Sequence, residues 1–253
     1  MRRRRGLRWV AVGVLVAVGL YFVADIVTLR YLESRGRDQI VQTMSAEDGS
    51  LDLGNLPFLT SFLRGRLDTA EVRIRGANAP GGLRVQTVTA KLNDVRFSPW
   101  RMFALARSSF APRSKVTSSS PIGSIELGED DLEDYIQGKV PGIGSVDVKA
   151  SGIEVFFLTE GVSLADDDTP EGDELSQPAR YLPRVENGRL VLVPTSLSRI
   201  HESFRSEAGR IRNLIELPRF PEGLRSDVRL GEGIVIVEVN GPDVELMLGE
   251  GNV

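Results

Sequence analysis

The chain has 253 residues, 41% of them apolar and 26% charged, and no cysteine. That is enough apolar residue for one sizeable core, and it excludes disulfides and thiolate metal sites as supports of the fold. Setting aside Asp25 and the five arginines before Trp9 leaves 26 basic and 34 acidic residues, a net charge of −8 that argues against a nucleic-acid partner.

Trp9 to Ala24 is an unbroken apolar run, preceded by Arg2, Arg3, Arg4, Arg5 and Arg8. As a helix, Trp9 to Leu29 would be about 31 Å long, enough for a hydrocarbon core of roughly 30 Å. That length places Asp25 near the outer edge, where a carboxylate reaches the headgroups. Two readings compete, a cleaved signal peptide and an uncleaved signal anchor, and both export the rest of the chain. Phe22 stands where a signal peptidase site needs a small residue, which favours the anchor. The arginines then stay cytoplasmic, and the bulk of the chain faces the extracytoplasmic side of the inner membrane. Residues 1–30 form the cytoplasmic cluster and membrane helix, 31–49 a helical stalk or linker, and 50–253 one domain.

Leu29, Leu32, Ile40 and Met44 continue at helical spacing to about Ala46, with Gly36 as the weak point. A short strand, 50–53, precedes a short helix over Asn55 to Gly65. There Asn55 suits the cap, Pro57 the first turn and Gly65 the stop, and Phe58, Leu59, Phe62 and Leu63 share a face. From Arg66 the period becomes two, with Ala70, Val72 and Ile74 apolar. Leu83 to Phe97 is a longer strand whose apolar phase shifts twice, which predicts bulges and strong curvature.

A short helix follows Ser98-Pro99, carrying Trp100, Met102, Phe103 and Leu105, and a strand ends near Leu127. The helix from Gly128 to Gly138 opens on Glu129, Asp130 and Asp131, which complement its positive end; a calcium site is the sharper reading. Strands 145–150 and 153–158 turn at Ser151-Gly152. Thr159 to Pro178 carries seven acidic and no basic residues, the composition of a solvated, disordered loop. Strands at 181–185 and 189–193 meet at Asn187-Gly188, the strongest hairpin signal in the chain.

Leu197, Ile200, Phe204, Ala208, Ile211 and Ile215 predict an amphipathic helix of about 30 Å between Pro194 and Pro218. Its apolar face covers the sheet, lines a slot or touches a bilayer. Leu224–Leu230 and Ile234–Val239 form a last hairpin, and Ile234 to Val237 is apolar on both faces, so one face is available to a lipid.

Motifs for chemistry are scarce. The single histidine, His201, cannot build a multi-histidine metal site, and no nucleophile elbow, phosphate-binding loop or dinucleotide fingerprint is present. The expectation is therefore a protein that is not an enzyme and needs no cofactor or metal.

The order Leu56-Pro57-Phe58-Leu59-Thr60, Leu63-Arg64-Gly65-Arg66, Gly82-Leu83-Arg84-Val85, Asp131-Leu132, Arg189-Leu190 to Pro194-Thr195 and Gly223-Leu224-Arg225 resembles the LmeA-type phospholipid-binding family of actinobacterial envelope proteins. The likeness spans roughly Leu51 to Gly241, and the acidic loop and the helix 197–217 depart from it. It implies an elongated, curved sheet related to the tubular lipid-binding folds, helices closing an apolar groove, and phospholipid as ligand. It also implies a role in maintaining envelope glycolipids.

The expected fold is thus α+β, an N-terminal transmembrane helix followed by a long, curved, mainly antiparallel sheet with covering helices around an apolar groove. Lipid-contact candidates are Phe58, Leu59, Phe62 and Leu63 from the family motif, and Phe204, Ile211, Ile215, Ile234 and Ile236 from the apolar pattern. The expected function is a membrane-anchored periplasmic protein that holds or transfers phospholipid or glycolipid chains. The alternative is an envelope scaffold, with a packed core, docking another membrane protein.

Overall fold

Helix α1 (Arg3–Thr43) runs without a break through Gly36 in the computed structural model. The structure describes residues 3–54, 57–79, 81–101, 114–158, 178–186, 189–195, 205–212, 214–215 and 223–248, without the side chains of 3–16, 114, 205–207 and 246–248. Gly36 is a packing position: a Cβ there would stand 2.5 Å from Cδ2 of Leu51 in strand β1 (Asp48–Asp52). The absent side chain lets the helix lie close on the strand. The Glu33 carboxylate accepts the Leu53 N–H at 3.1 Å, so α1 also occupies a donor beside this edge strand.

Asp25 does not reach out toward headgroups. It is fully buried, and its two carboxylate oxygens accept the N–H groups of Phe58, at 2.8 Å, and Leu59. These are the first amides of helix α2 (Phe58–Leu63), which are free of helical partners by construction of the helix. The cap expected from within the segment comes instead from α1, 33 residues earlier in the chain. Asn55 lies outside the described residues, as do residues 9–16 of the apolar run as far as side chains are concerned. Among the described residues no helix is long and apolar enough to cross a membrane.

The strands are divided between two sheets, and every pairing is antiparallel. The larger runs in the order β1-β2-β3-β5-β11-β10, with β4 (Ser114–Ser118) and β12 (Val244–Leu248) paired at its side. Here β2 is Arg66–Asn78, β3 Arg84–Arg96, β5 Ile122–Gly128, β10 Arg225–Gly231 and β11 Ile234–Asn240. The smaller sheet is β6 (Ile143–Lys149), β7 (Gly152–Phe157), β8 (Ala179–Glu186) and β9 (Arg189–Pro194).

The phase shifts expected as bulges in β3 have another origin. Register between β2 and β3 is constant from Arg66 opposite Arg96 to Asn78 opposite Arg84, so no residue is inserted. Instead Asp94 (φ 46°) and Gly76 (φ 62°) take left-handed conformations at the places where the buried set changes parity. The register shift lies in β6–β7, between Ile143 and Ser145.

Helix α3 (Glu129–Lys139) uses its acids structurally. The carboxylates of Glu129 and Glu133 accept the N–H groups of Val148 and Val146, at 2.6 and 2.8 Å, and so close the open edge of β6. Among the described residues no acidic cluster is placed to hold a metal, and the calcium reading of Glu129, Asp130 and Asp131 gains nothing. The acidic stretch at 159–177 lies outside the described residues.

The long helix expected over 197–217 is described only as α4 (Arg205–Ile211). Residues 196–204 lie outside the described set, Phe204 among them. At the other end the chain leaves the helix after Ile211 because its backbone finds sheet-like partners: the Leu192 N–H donates to the Arg212 carbonyl at 3.0 Å. The Tyr135 hydroxyl donates to the Leu214 carbonyl, also at 3.0 Å. Tertiary bonds outweigh the helical period of the stripe.

Buried apolar side chains form two clusters. The larger joins Leu127, Val235 and Val237 of the big sheet to α3, α4 and the small sheet, with Phe157, Tyr181 and Leu192 at its centre. The smaller lies at the other end of β2 and β3, with Phe58, Phe62, Leu67, Ala70, Val95 and Val116, and Leu29 and Leu32 of α1 packed on it.

Candidate lipid-binding face

One face of the large sheet connects the two clusters. Val88 and Leu92 of β3 both point to it; the first packs on the larger cluster, the second on the smaller. Four residues separate them, about 13 Å along the strand. Between them sits Ala90, and pairing extends it into a row across six strands: Leu51, Val72, Ala90, Gly123, Val239 and Ser226. Neighbours in register share a face, so this row lies wholly on the side of the two clusters.

Only Val239 in that row is buried; the other five are half-buried. On either side the packing tightens, with Ala70 toward the smaller cluster and Ile74, Ile125 and Val237 toward the larger. A stripe of partly uncovered apolar surface thus crosses the sheet between two filled cores, and it carries no ionisable side chain. The α1 helix walls it at the β1 edge, through Gly36 on Leu51 and Val41 against Gly49.

The opposite face of the same strands is polar. Lys91 stands opposite Ile122, and Glu126 and Arg229 flank Ile236. Arg229 pairs with Glu238 at 3.0 Å. The sheet is therefore apolar toward the clusters and solvated on its outer side, the usual division of an antiparallel sheet with one covered face.

Electrostatic anchoring lies away from the stripe. Glu154 of β7 is buried, 7% exposed, and receives Lys149 at 2.7 Å and Arg180 at 2.6 Å. The hydrogen bond from Lys149, then that from Arg180, holds its carboxyl below the usual glutamate range despite burial. Burial pushes the Tyr181 phenol up; its hydroxyl donates to the Ala208 carbonyl at 3.2 Å. Both features fasten the small sheet, one to itself and the other to α4.

The expected contact residues are not brought together. Phe58 and Phe62 are in the smaller core, Leu59 is half-buried, and Leu63 is 64% exposed, so the four do not share one face of α2. Ile211 and Ile215 are fully inside the larger core. Ile234 and Ile236 are half-buried on the outer face, while Val235 and Val237 fill the inner one. The stripe residues Leu51, Val72, Ala90 and Gly123 were not among the candidates. Their sequence signal is the period-two set Ala70, Val72, Ile74 and Val88, Ala90, Leu92, whose members look alike until neighbouring strands distinguish core from stripe.

The fold is α+β, with a mainly antiparallel sheet that is apolar on one face between two cores. A family model described as LmeA-like phospholipid-binding matches residues 23–240, and the chain belongs to that family. No curated protein and no solved structure gives a match, so the assignment rests on the family model and on the face described above.

Proposed function

We infer that this protein holds the acyl chains of a phospholipid or glycolipid on the stripe between its two cores, while α1 tethers it to the inner membrane with the domain on the extracytoplasmic side. The observation that carries the reading is the stripe itself: apolar, uncharged and half-buried where both neighbouring regions are filled. Membership in a phospholipid-binding family supplies the ligand class. Covering about ten methylenes gains roughly 8 kcal/mol before ordering costs, so binding needs no specific polar contact along the tail. Selection among headgroups then falls to the ends of the stripe.

The tether reading is supported by the apolar run after the arginine cluster and by the exposure of residues 17–24, of which Tyr21 alone, among the described residues, is hydrogen-bonded to the domain, through Thr60. Holding or handing over such lipids is a non-enzymatic role, and we place it in maintenance of the cell envelope. Gentle extraction of the full chain followed by native mass spectrometry tests it: bound phospholipid at near-equal molar amount supports the reading. A lipid-free chain bound to a membrane protein would favour a scaffold instead.

A further inference from the structure

Of the eleven exposed large apolar side chains among the described residues, all but Tyr31 and Ile122 are gathered at one end. Val18, Leu20, Tyr21, Phe22, Val23, Ile26 and Val27 belong to α1, and Leu63 and Trp100, 64% and 80% exposed, belong to the end of the domain held against that part of α1. The attachment is made by hydrogen bonds. Asp25 caps α2 through two backbone amides, and the Tyr21 hydroxyl meets that of Thr60. Trp100 is tied to the same unit: the Phe97 N–H donates to the Gly65 carbonyl at 2.9 Å, the Phe62 and Phe97 rings are 5.2 Å apart, and Pro99 abuts Gly65.

Depth follows from this attachment. Tyr21 is about 18 Å along the helix from Trp9, whereas a hydrocarbon core is roughly 30 Å thick. A helix that enters at Trp9 therefore brings Tyr21, and α2 with it, to the level of the outer leaflet, and any tilt brings them deeper. We propose that α2 and the helical residues Pro99–Arg101 form a foot seated in the outer leaflet of the bilayer that α1 crosses, with Leu63 and Trp100 as the inserted side chains. The exposed Arg64 and Arg101, next to them in sequence, meet the phosphates.

Two features become intelligible together. Tryptophan beside arginine is the composition of a membrane interface. Asp25, the acid inside the apolar stretch, shows no surface to lipid and occupies the first two amides of α2, which lowers the cost of placing both in a non-aqueous surrounding. The foot also turns the smaller cluster, which flanks the stripe, toward the bilayer from which a lipid would be drawn.

This inference rests on the tether reading, and the two can fail separately. Trp9 and Trp100 are the two tryptophans of the chain. The full chain is reconstituted in vesicles of phosphatidylcholine and phosphatidylglycerol brominated near the headgroup, as Trp9→Phe, which leaves Trp100 as reporter, and as Trp100→Phe, which leaves Trp9. Blue-shifted Trp100 emission, roughly halved by the brominated lipid, is the result expected of an interfacial tryptophan. Quenching of Trp9 with Trp100 unaffected would overturn the foot and leave the tether standing. Quenching of neither would overturn both.

Discussion

The two apolar clusters sit on one sheet yet are built on different scales. The larger is closed by two sheets and two helices, and its Phe157, Leu132, Ile153 and Val235 have no exposed surface. The smaller leans on α1 and a helix of six residues, and its order depends on a single carboxylate donated from α1. The difference teaches that one end is closed on all sides by its own elements and the other is a docking arrangement tied to α1. Between them, among the described residues, an apolar stripe of the inner face stays half-buried.

The largest effect is expected where packing is complete. Phe157→Ala should cost about 3–5 kcal/mol and shift the main thermal transition, followed by circular dichroism. A shift of under 1 kcal/mol would mean that this cluster is not the stabilising core.

Asp25→Ala should cost about 1–3 kcal/mol, because two amides at the start of α2 lose their acceptor. Hydrogen exchange should show the loss confined to α2 and its neighbours, with β7 and β8 unchanged. Uniform loss of protection at both ends would show that the clusters are one cooperative unit and remove the distinction drawn above.

Glu154 gives a smaller, pH-dependent term on the larger-cluster side alone. Its carboxyl titrates below the ordinary value of 4.5 in the folded state, so its contribution is complete above that value and disappears as pH falls through the folded one. Its partners Lys149 and Arg180 are 41% and 47% exposed, which keeps the worth of the group near 1 kcal/mol. In Glu154→Gln the acid limb of the stability curve should flatten; an unchanged limb would assign acid sensitivity elsewhere.

Much of this arrangement was legible in the sequence, and the misreadings have physical causes. Strand positions, the antiparallel pairing of β8 with β9 and the short helix before Gly65 follow from period and turn chemistry, because those signals are local. The division into two sheets was not legible, since it depends on which strands pair. The partners of Asp25 were missed because a buried cap for a helix 33 residues away leaves no sequence trace, and a lone acid at the end of an apolar run reads as a carboxylate reaching the headgroups. The stripe at 197–217 was overextended because alternation at helical spacing cannot register that the Arg212 carbonyl is taken by Leu192. Ile234 and Ile236 looked equivalent to Val235 and Val237 until pairing set Glu126 and Arg229 beside Ile236.

The smallest expected cost in stability accompanies the most informative change. Ala90 is half-buried in the middle of the stripe, and Ala90→Asp should cost about 1 kcal/mol while placing a charge where an acyl chain would lie. Thr89→Asp puts the same charge on the opposite face of the same strand. Lipid bound per chain, counted by native mass spectrometry on the full protein and both variants, tests the account most directly. It predicts near-stoichiometric phospholipid in the native chain and in Thr89→Asp, and its loss from a folded Ala90→Asp. Equal occupancy in all three, or lipid in none, would contradict it.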